Sequence, residues 1–273
     1  MRTLTALLLL CLTAAAPAEV VTSIVNYTDD DVILEGFLAH EEKVDAPRPG
    51  VLICHQWMGL SDHERTVAKQ LAELGYIAFA LDIYGTEERP SNRSEASARS
   101  GYYKNNPDEL RRRARLGLEQ LRQLPQVRET KIAVIGYCFG GTTGLELARD
   151  GADVQGVVSF HGGLSTPRPA GPGDITAKLL ICHGAVDPYV PDEEVATFMS
   201  EMNEAGADYQ FIAYADAVHS FTHTELSTDN SQGAAYNEKA HRRSWLHMQV
   251  FFHELFEPRG PADRPVTVSP PTT

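Results

Sequence analysis

Lys131-Ile-Ala-Val-Ile-Gly-Tyr-Cys-Phe-Gly-Gly141 is a run of small and β-branched apolar residues that ends on a glycine-flanked cysteine. A helix-compatible segment, Thr142 to Arg149, follows at once. The order is strand, sharp turn, helix, with G-x-C-x-G at the turn. Glycines on both sides let strand and helix approach closely while the central residue takes a strained backbone conformation. Such a turn lifts the Cys138 side chain clear of the sheet. It also sets the thiol at a helix N-terminus, where the positive end of the dipole favours thiolate. A buried cysteine in a glycine-rich βα turn satisfies the same pentapeptide, so the rest of the chain has to decide.

Around this stretch, short apolar runs alternate with helix candidates. Ile24–Tyr27 and Val32–Ala39 read as two opening strands joined at Asp29-Asp30-Asp31. Val51–Cys54, after the breaker Pro47-Arg48-Pro49-Gly50, is a continuous apolar run of the buried parallel type. Ser61-Asp-His-Glu64 is a capping box, and Val67, Leu71 and Leu74 give that helix its apolar face before Gly75. Ile77–Leu81 is the next strand. The polar connection Thr86 to Asn106 is long enough to suggest a lid or surface excursion over a site. Asn106-Pro107-Asp-Glu opens a helix with an inward stripe of Leu110, Ala114, Leu118 and Leu121. Arg111-Arg112-Arg113 on that helix reads as a solvated face. After the central strand come strands at Val154–Phe160 and Leu179–Cys182, a helix from Pro191 to Gly206, a strand at Tyr209–Tyr214 and a helix from about Ala234 to Phe256. Repeated βα units of this kind imply a mostly parallel sheet with helices on both faces.

At 273 residues, 42% hydrophobic and 22% charged, the chain can build one large α/β core. A net charge of −13 argues against nucleic acid or an anionic membrane as partner. Residues 1–18 have the outline of a signal peptide: Arg2, an apolar run from Leu4 to Leu12, then Ala16-Pro17-Ala18 as a cleavage site. Export to the periplasm or beyond is therefore expected, with a folded domain over 19–257. The Pro- and Thr-rich tail 258–273 reads as disordered. Cys54, Cys138 and Cys182 remain after cleavage, an odd number for an oxidising compartment.

Ligands of parallel sheets sit beyond the carboxyl ends of the strands. A nucleophilic Cys138 needs a base within hydrogen-bond reach and a third group to orient that base. Past strand Leu179–Cys182 lies His183-Gly184-Ala185-Val186-Asp187-Pro188, which sets a carboxylate just beyond the strand end. Past Tyr209–Tyr214 lies Ala217-Val218-His219-Ser220-Phe221, a histidine on the next loop. Asp187 also reads as a cap for the following helix, and His219 as an ordinary loop histidine. Nucleophile, acid and histidine in this order, each after the expected strand, favour catalysis.

G-Y-C-F-G-G, H-G-x-x-D-P-x-V-P and H-S-F together resemble the dienelactone hydrolase family, from about Val51 through the last helix. The resemblance implies a single α/β-hydrolase domain with a mostly parallel eight-stranded sheet, no cofactor and no metal. It implies hydrolysis of small esters or lactones; the oligomeric state does not follow from the sequence, and a monomer is the expectation. On this mapping Cys138 is the nucleophile, His219 the base and later acid, and Asp187 the orienting carboxylate. The oxyanion donors are the backbone N–H groups of Phe139 and Trp57. Gln56, Tyr84, Phe221 and His223 are the candidates for the substrate pocket. Two positions depart from the family. Gln56 stands where dienelactone-opening members carry a glutamate that interacts with the resting thiol, and it cannot accept a proton or supply charge. His223 stands where they carry an arginine for the substrate carboxylate, leaving Arg89, Arg93 or Arg99 as substitutes. In the usual strand order of this fold Cys54 and Cys182 lie three strands apart, roughly 14 Å at ~4.8 Å per strand, so no disulfide is expected.

Two other readings compete. Five histidines (His55, His161, His183, His219 and His223) face one end of such a sheet, but no H-E-x-x-H or C-x-x-C pairing supports a metal site. A thiol protein that keeps the fold without hydrolysis, for redox chemistry or small-molecule binding, is the alternative that Gln56 supports.

Overall fold

Alternation of side chains decides the opening hairpin, β1 (Val20–Asp29) and β2 (Val32–Glu41), which pair antiparallel through a turn where Asp30 takes φ 50°. The computed structural model describes residues 19–257 and 268–271. The proposed signal peptide and most of the tail therefore lie outside the described residues. Behind the hairpin come β3 (Arg48–Cys54), β4 (Ile77–Ala80), β5 (Val127–Tyr137), β6 (Gly156–Phe160), β7 (Lys178–Gly184) and β8 (Tyr209–Tyr214). Their order in the sheet is β1-β2-β4-β3-β5-β6-β7-β8, with every pair from β4 onward parallel. The mostly parallel eight-stranded α/β sheet is borne out.

Six helices among the described residues cover the two faces: α1 (Asp62–Glu73), α2 (Arg93–Asn105), α3 (Pro107–Arg122), α4 (Phe139–Arg149), α5 (Asp192–Ala205) and α6 (Glu238–Phe256). Neighbouring residues of one strand point to opposite faces. In β3, Val51 and Ile53 join Val67 and Leu71 of α1 and Trp245 and Phe252 of α6. Leu52 and Cys54 join Leu110 and Leu118 of α3, Leu145 of α4 and Phe198 of α5. Cys54, Cys138 and Cys182 are free thiols, and β5 and β6 separate the strands that carry Cys54 and Cys182.

Three expectations need correction. The connection 86–106 is largely helical, because α2 starts on an Asn92 cap and buries Ala96, Ser100 and Tyr103 at helical spacing. The triple arginine on α3 is not a solvated face. Arg111 and Arg113 are buried and all three are paired: Arg111 with Glu146, Arg112 and Arg113 with Asp29. α3 is wedged between the hairpin end and α4, whose acids come from distant sequence. The last helix begins at Glu238 instead of near Ala234, since Ala234 forms a bridge to His219 and Asn237 caps the helix. Of the tail, residues 268–271 are described, and there the Gln249 side chain of α6 bonds both the N–H and the C=O of Ser269.

Candidate active site

Cys138 sits between β5 and α4 with φ 55° and ψ −116°, a backbone conformation L-residues rarely adopt. The flanking glycines are what allow it. A Cβ on Gly136 would lie 2.0 Å from the Gly140 oxygen, and one on Gly140 would lie 2.0 Å from the Cys54 oxygen. The turn therefore presses α4 against both its own strand and the end of β3. The Cys138 N–H bonds to the Phe160 oxygen of β6 at 3.0 Å, which fixes the elbow from the other side.

Two loops bring the other groups in. A Cβ on Gly184 would lie 2.7 Å from the oxygens of Ala217 and Val218, so glycine there lets the loop after β8 cross the end of β7. His219 is held by backbone bonds in both directions, its N–H to Gly233 and its oxygen from Ala235. Its Nε2 lies 3.1 Å from Cys138 Sγ and its Nδ1 2.8 Å from Asp187 Oδ2. The other Asp187 oxygen accepts the Tyr189 N–H at 2.9 Å. The three residues the sequence singled out thus form one contiguous chain of contacts.

Electrostatics follow from that contact. Burial opposes ionisation of Cys138, but the charge of His219, its hydrogen bond and the Phe139 N–H bring the thiol below its ordinary value. Burial likewise opposes charge on His219. The Cys138 sulfur and Asp187 outweigh it and push the imidazole up to about 10. The geometry therefore favours a thiolate–imidazolium pair at neutral pH.

The loop leaving β3 supplies the second oxyanion candidate. Gln56 N–H is held by Glu64, the Trp57 oxygen accepts the Tyr84 hydroxyl at 3.0 Å, and Gly59 N–H closes the turn onto Gln56. Among the described residues the Trp57 N–H has no acceptor. Phe139, with its N–H at the sulfur, stacks on Tyr84.

The pocket candidates fare differently. Gln56 is buried in the loop beside the elbow. Tyr84 and Phe221 are fully buried, so neither ring offers a face to a ligand from solvent. Phe221 turns into the core against His161 and Tyr214, because the loop after β8 folds back over the sheet. His223 stacks on His63 of α1 at 5.4 Å. Arg89 and Arg99 are engaged by Asp82 with Glu35 and by Glu88 respectively.

Two further neighbours matter: His161, which the sequence marks only among the histidines at this end of the sheet, and Tyr189, which it does not single out. His161, after β6, turns its ring 65° to that of His219 at 5.3 Å and bonds Thr222. Burial, then the charge of His219, holds its pKa well below the ordinary value, so it stays neutral. Tyr189 meets His219 edge-on at 5.4 Å and remains largely exposed at the mouth of the site. The signal for Tyr189 was its place two residues after Asp187. No group of three or more His, Cys, Asp or Glu side chains among the described residues converges as a metal site.

Comparison with known proteins identifies the family. The sequence model of the Dienelactone hydrolase family matches residues 34–256. The solved structure titled m3DLH is 36% identical with a TM-score of 0.82, covering 87% of this chain and 99% of that one. A dienelactone hydrolase-like promiscuous phosphotriesterase, P91, from metagenomic libraries is 38% identical with a TM-score of 0.81 over the same shares. A protein of Escherichia coli (strain K12) named "Putative carboxymethylenebutenolidase" is 26% identical over 238 residues, 76% of this chain and 84% of its own length. The chain belongs to the dienelactone hydrolase family and is a dienelactone hydrolase-like hydrolase of the α/β-hydrolase fold.

Proposed function

We propose that the protein hydrolyses small carboxylic esters or lactones through Cys138, with His219 as acid and base and Asp187 as its orienting carboxylate. In this reading the Cys138 thiolate attacks the carbonyl carbon and the carbonyl electron pair moves to oxygen. The N–H groups of Phe139 and Trp57 receive the developing oxyanion. Collapse of the tetrahedral species expels the alkoxide, which takes the proton of His219 and leaves an acyl thioester on Cys138. Neutral His219 then removes a proton from water, hydroxide adds to the thioester, and the carboxylic acid departs as the thiolate re-forms. For a lactone, the alcohol and acid are two ends of one product.

The observation that carries this reading is the unbroken contact from Sγ through His219 to Asp187, 3.1 Å and 2.8 Å long. The test compares wild type with Cys138→Ala and His219→Ala on short aryl esters and lactones, with intact-mass detection of an acyl adduct. An aryl phosphotriester belongs in the panel because a relative of this chain carries that description. Ester or lactone turnover lost in both variants supports the reading; equal activity in all three proteins overturns it. Purified mature protein also tests the proposed export signal. An N-terminus near Glu19 supports it, and an intact Met1 from an exporting host refutes it.

A further inference from the structure

Five carboxylates are buried among the described residues: Asp29, Glu64, Asp82, Glu146 and Asp187. Four of them face a cation or the imidazole of His219. Asp29 meets Arg112 and Arg113, Asp82 meets Arg89, Glu146 meets Arg111 and Arg149, and Asp187 meets His219. Glu64, at 0% exposure, has no ion-pair partner among the described residues. Its neighbours His55 and His63 are kept below their ordinary pKa by burial, so neither supplies charge at neutral pH. An unpaired buried carboxylate is costly unless donors surround it.

The donors are there, and one of them does not belong to the helix. Ser61 N–H and Ser61 Oγ bond Glu64 Oε2 at 2.8 and 2.7 Å, completing the capping box of α1. Glu64 Oε1 reaches eight residues back and accepts Gln56 N–H at 3.1 Å. Capping α1 does not require that third bond. What it does is fix the loop leaving β3 on the residue before Trp57. Tyr84 holds the Trp57 oxygen at 3.0 Å, so the chain is gripped on both sides of the Trp57 N–H, which has no acceptor among the described residues.

We propose that Glu64 is a positioning residue that aims the Trp57 N–H at the substrate oxyanion by anchoring Gln56. The proposal rests on the hydrolytic reading above and adds to it a group that never touches substrate. It also gives a reason for a buried charge at this place: a carboxylate accepts from the cap and from the loop at once, which an apolar or singly accepting side chain does not.

The experiment compares Glu64→Ala and Glu64→Gln with Ser61→Ala, which weakens the cap but leaves the Gln56 anchor. Three quantities are read on the full chain: kcat and KM for a 4-nitrophenyl ester, the rate of Cys138 alkylation by iodoacetamide, and amide hydrogen exchange across residues 54–60. Losing an oxyanion donor lowers kcat by about 10²–10³-fold, and displacing one through its anchor is expected to cost about tenfold to a hundredfold. Glu64→Ala should therefore lose kcat on that scale at near-constant KM and lose exchange protection at 56–57, while alkylation stays within about twofold because it needs no oxyanion donor. Glu64→Gln has one accepting oxygen, which can serve Gln56 at the expense of the cap, so it should recover most of kcat while losing melting temperature, and Ser61→Ala should keep kcat. A parallel fall of kcat and alkylation, or equal losses in Ser61→Ala, reduces Glu64 to a helix cap and overturns the proposal. Lost protection in Glu64→Ala without ester turnover in wild type overturns its oxyanion role too, and that result separates the two failures, because only then does the hydrolytic reading fall as well.

Discussion

Sγ of Cys138 lies 3.1 Å from Nε2 of His219, and each group moves the other toward its charged form. Despite burial, the thiol falls below its usual range and the imidazole rises to about 10. Between those two values the pair is charged. Alkylation by iodoacetamide should therefore stay fast below pH 8 and decline only as the pH falls through the lowered thiol value. Ester kcat/KM should show a plateau, with an alkaline fall near pH 10 as His219 loses the proton needed by the leaving alkoxide. The stability signs agree. The His219 contribution is complete below its ordinary 6.5 and is lost as the pH rises through about 10. The Cys138 contribution is complete above its ordinary 9.0 and is lost as the pH falls through its lowered value. In His219→Ala the thiol should return to a raised value and alkylate at least about tenfold more slowly at pH 7. An unchanged pH profile in that variant would refute the ion pair.

Asp187→Asn tests orientation apart from burial. The amide keeps the volume and one acceptor for Tyr189, but it offers His219 Nδ1 no negative charge. The imidazolium loses support and the ring can turn to the other tautomer. A drop in kcat on the order of 10²–10⁴-fold is expected, with little change in melting temperature. Activity within about threefold of wild type would show that Asp187 only shapes the turn.

Part of this architecture is legible in local sequence, where a residue's surroundings are set by its chain neighbours. Short apolar runs such as Val51–Cys54, bounded by breakers, read as buried strands, and the capping box at Ser61–Glu64 forms as its spacing requires. Cys138, Asp187 and His219 can be grouped from the sequence because each follows a recognisable strand, and the structure brings the three into contact. What stayed hidden depends on partners far away in sequence. Arg111 and Arg113 look like surface charge until Glu146 and Asp29 are brought to them across 35 and 84 positions. α2 carries Ser, Gly and Asn on a weakly apolar face, so its helix was masked by polarity, although Ala96, Ser100 and Tyr103 share one side. Phe221 is a pocket candidate in the sequence, but its ring is buried against His161 and Tyr214. Nothing local reveals that Ser220, at φ 57°, turns the chain so that the next ring faces the core.

Gly140→Ala tests the elbow. The new Cβ would stand 2.0 Å from the Cys54 oxygen and 2.8 Å from the His55 oxygen, both backbone atoms that cannot swing aside. Relief requires α4 to back away from β3, which opens the space around Cys138 and the loop that carries Trp57. The expected outcome is a loss of more than about 3 kcal/mol in unfolding free energy, or no soluble protein. Gly101→Ala on α2 is the control, because nothing lies within 4 Å of its Cβ. It should be neutral or slightly stabilising, by about 0.5–1 kcal/mol, from helix propensity. Equal melting temperatures for the two variants would contradict the close approach at the elbow.

The arginines of α3 give the last comparison, since Arg112 and Arg113 share one carboxylate but not one environment. Arg113 is 5% exposed at its side chain, pairs with Asp29 and donates to the Ile83 oxygen at 3.1 Å, in the connection between β4 and α2. Arg112 reaches the same Asp29 from solvent, with 48% of its side chain exposed. Removing Arg113 leaves Asp29 buried with half its compensation and the Ile83 oxygen without its donor, so Arg113→Ala should cost about 3–5 kcal/mol in urea unfolding. Arg112→Ala should cost no more than about 1 kcal/mol, because solvent screens that pair and replaces it. The Arg113→Ala loss should shrink when Asp29 is also changed to Asn, since the uncompensated charge is then gone. If the double variant instead showed the plain sum of the single losses, the buried pair would not be the cause, and the stability of this corner would have to come from packing of the arginine stem alone.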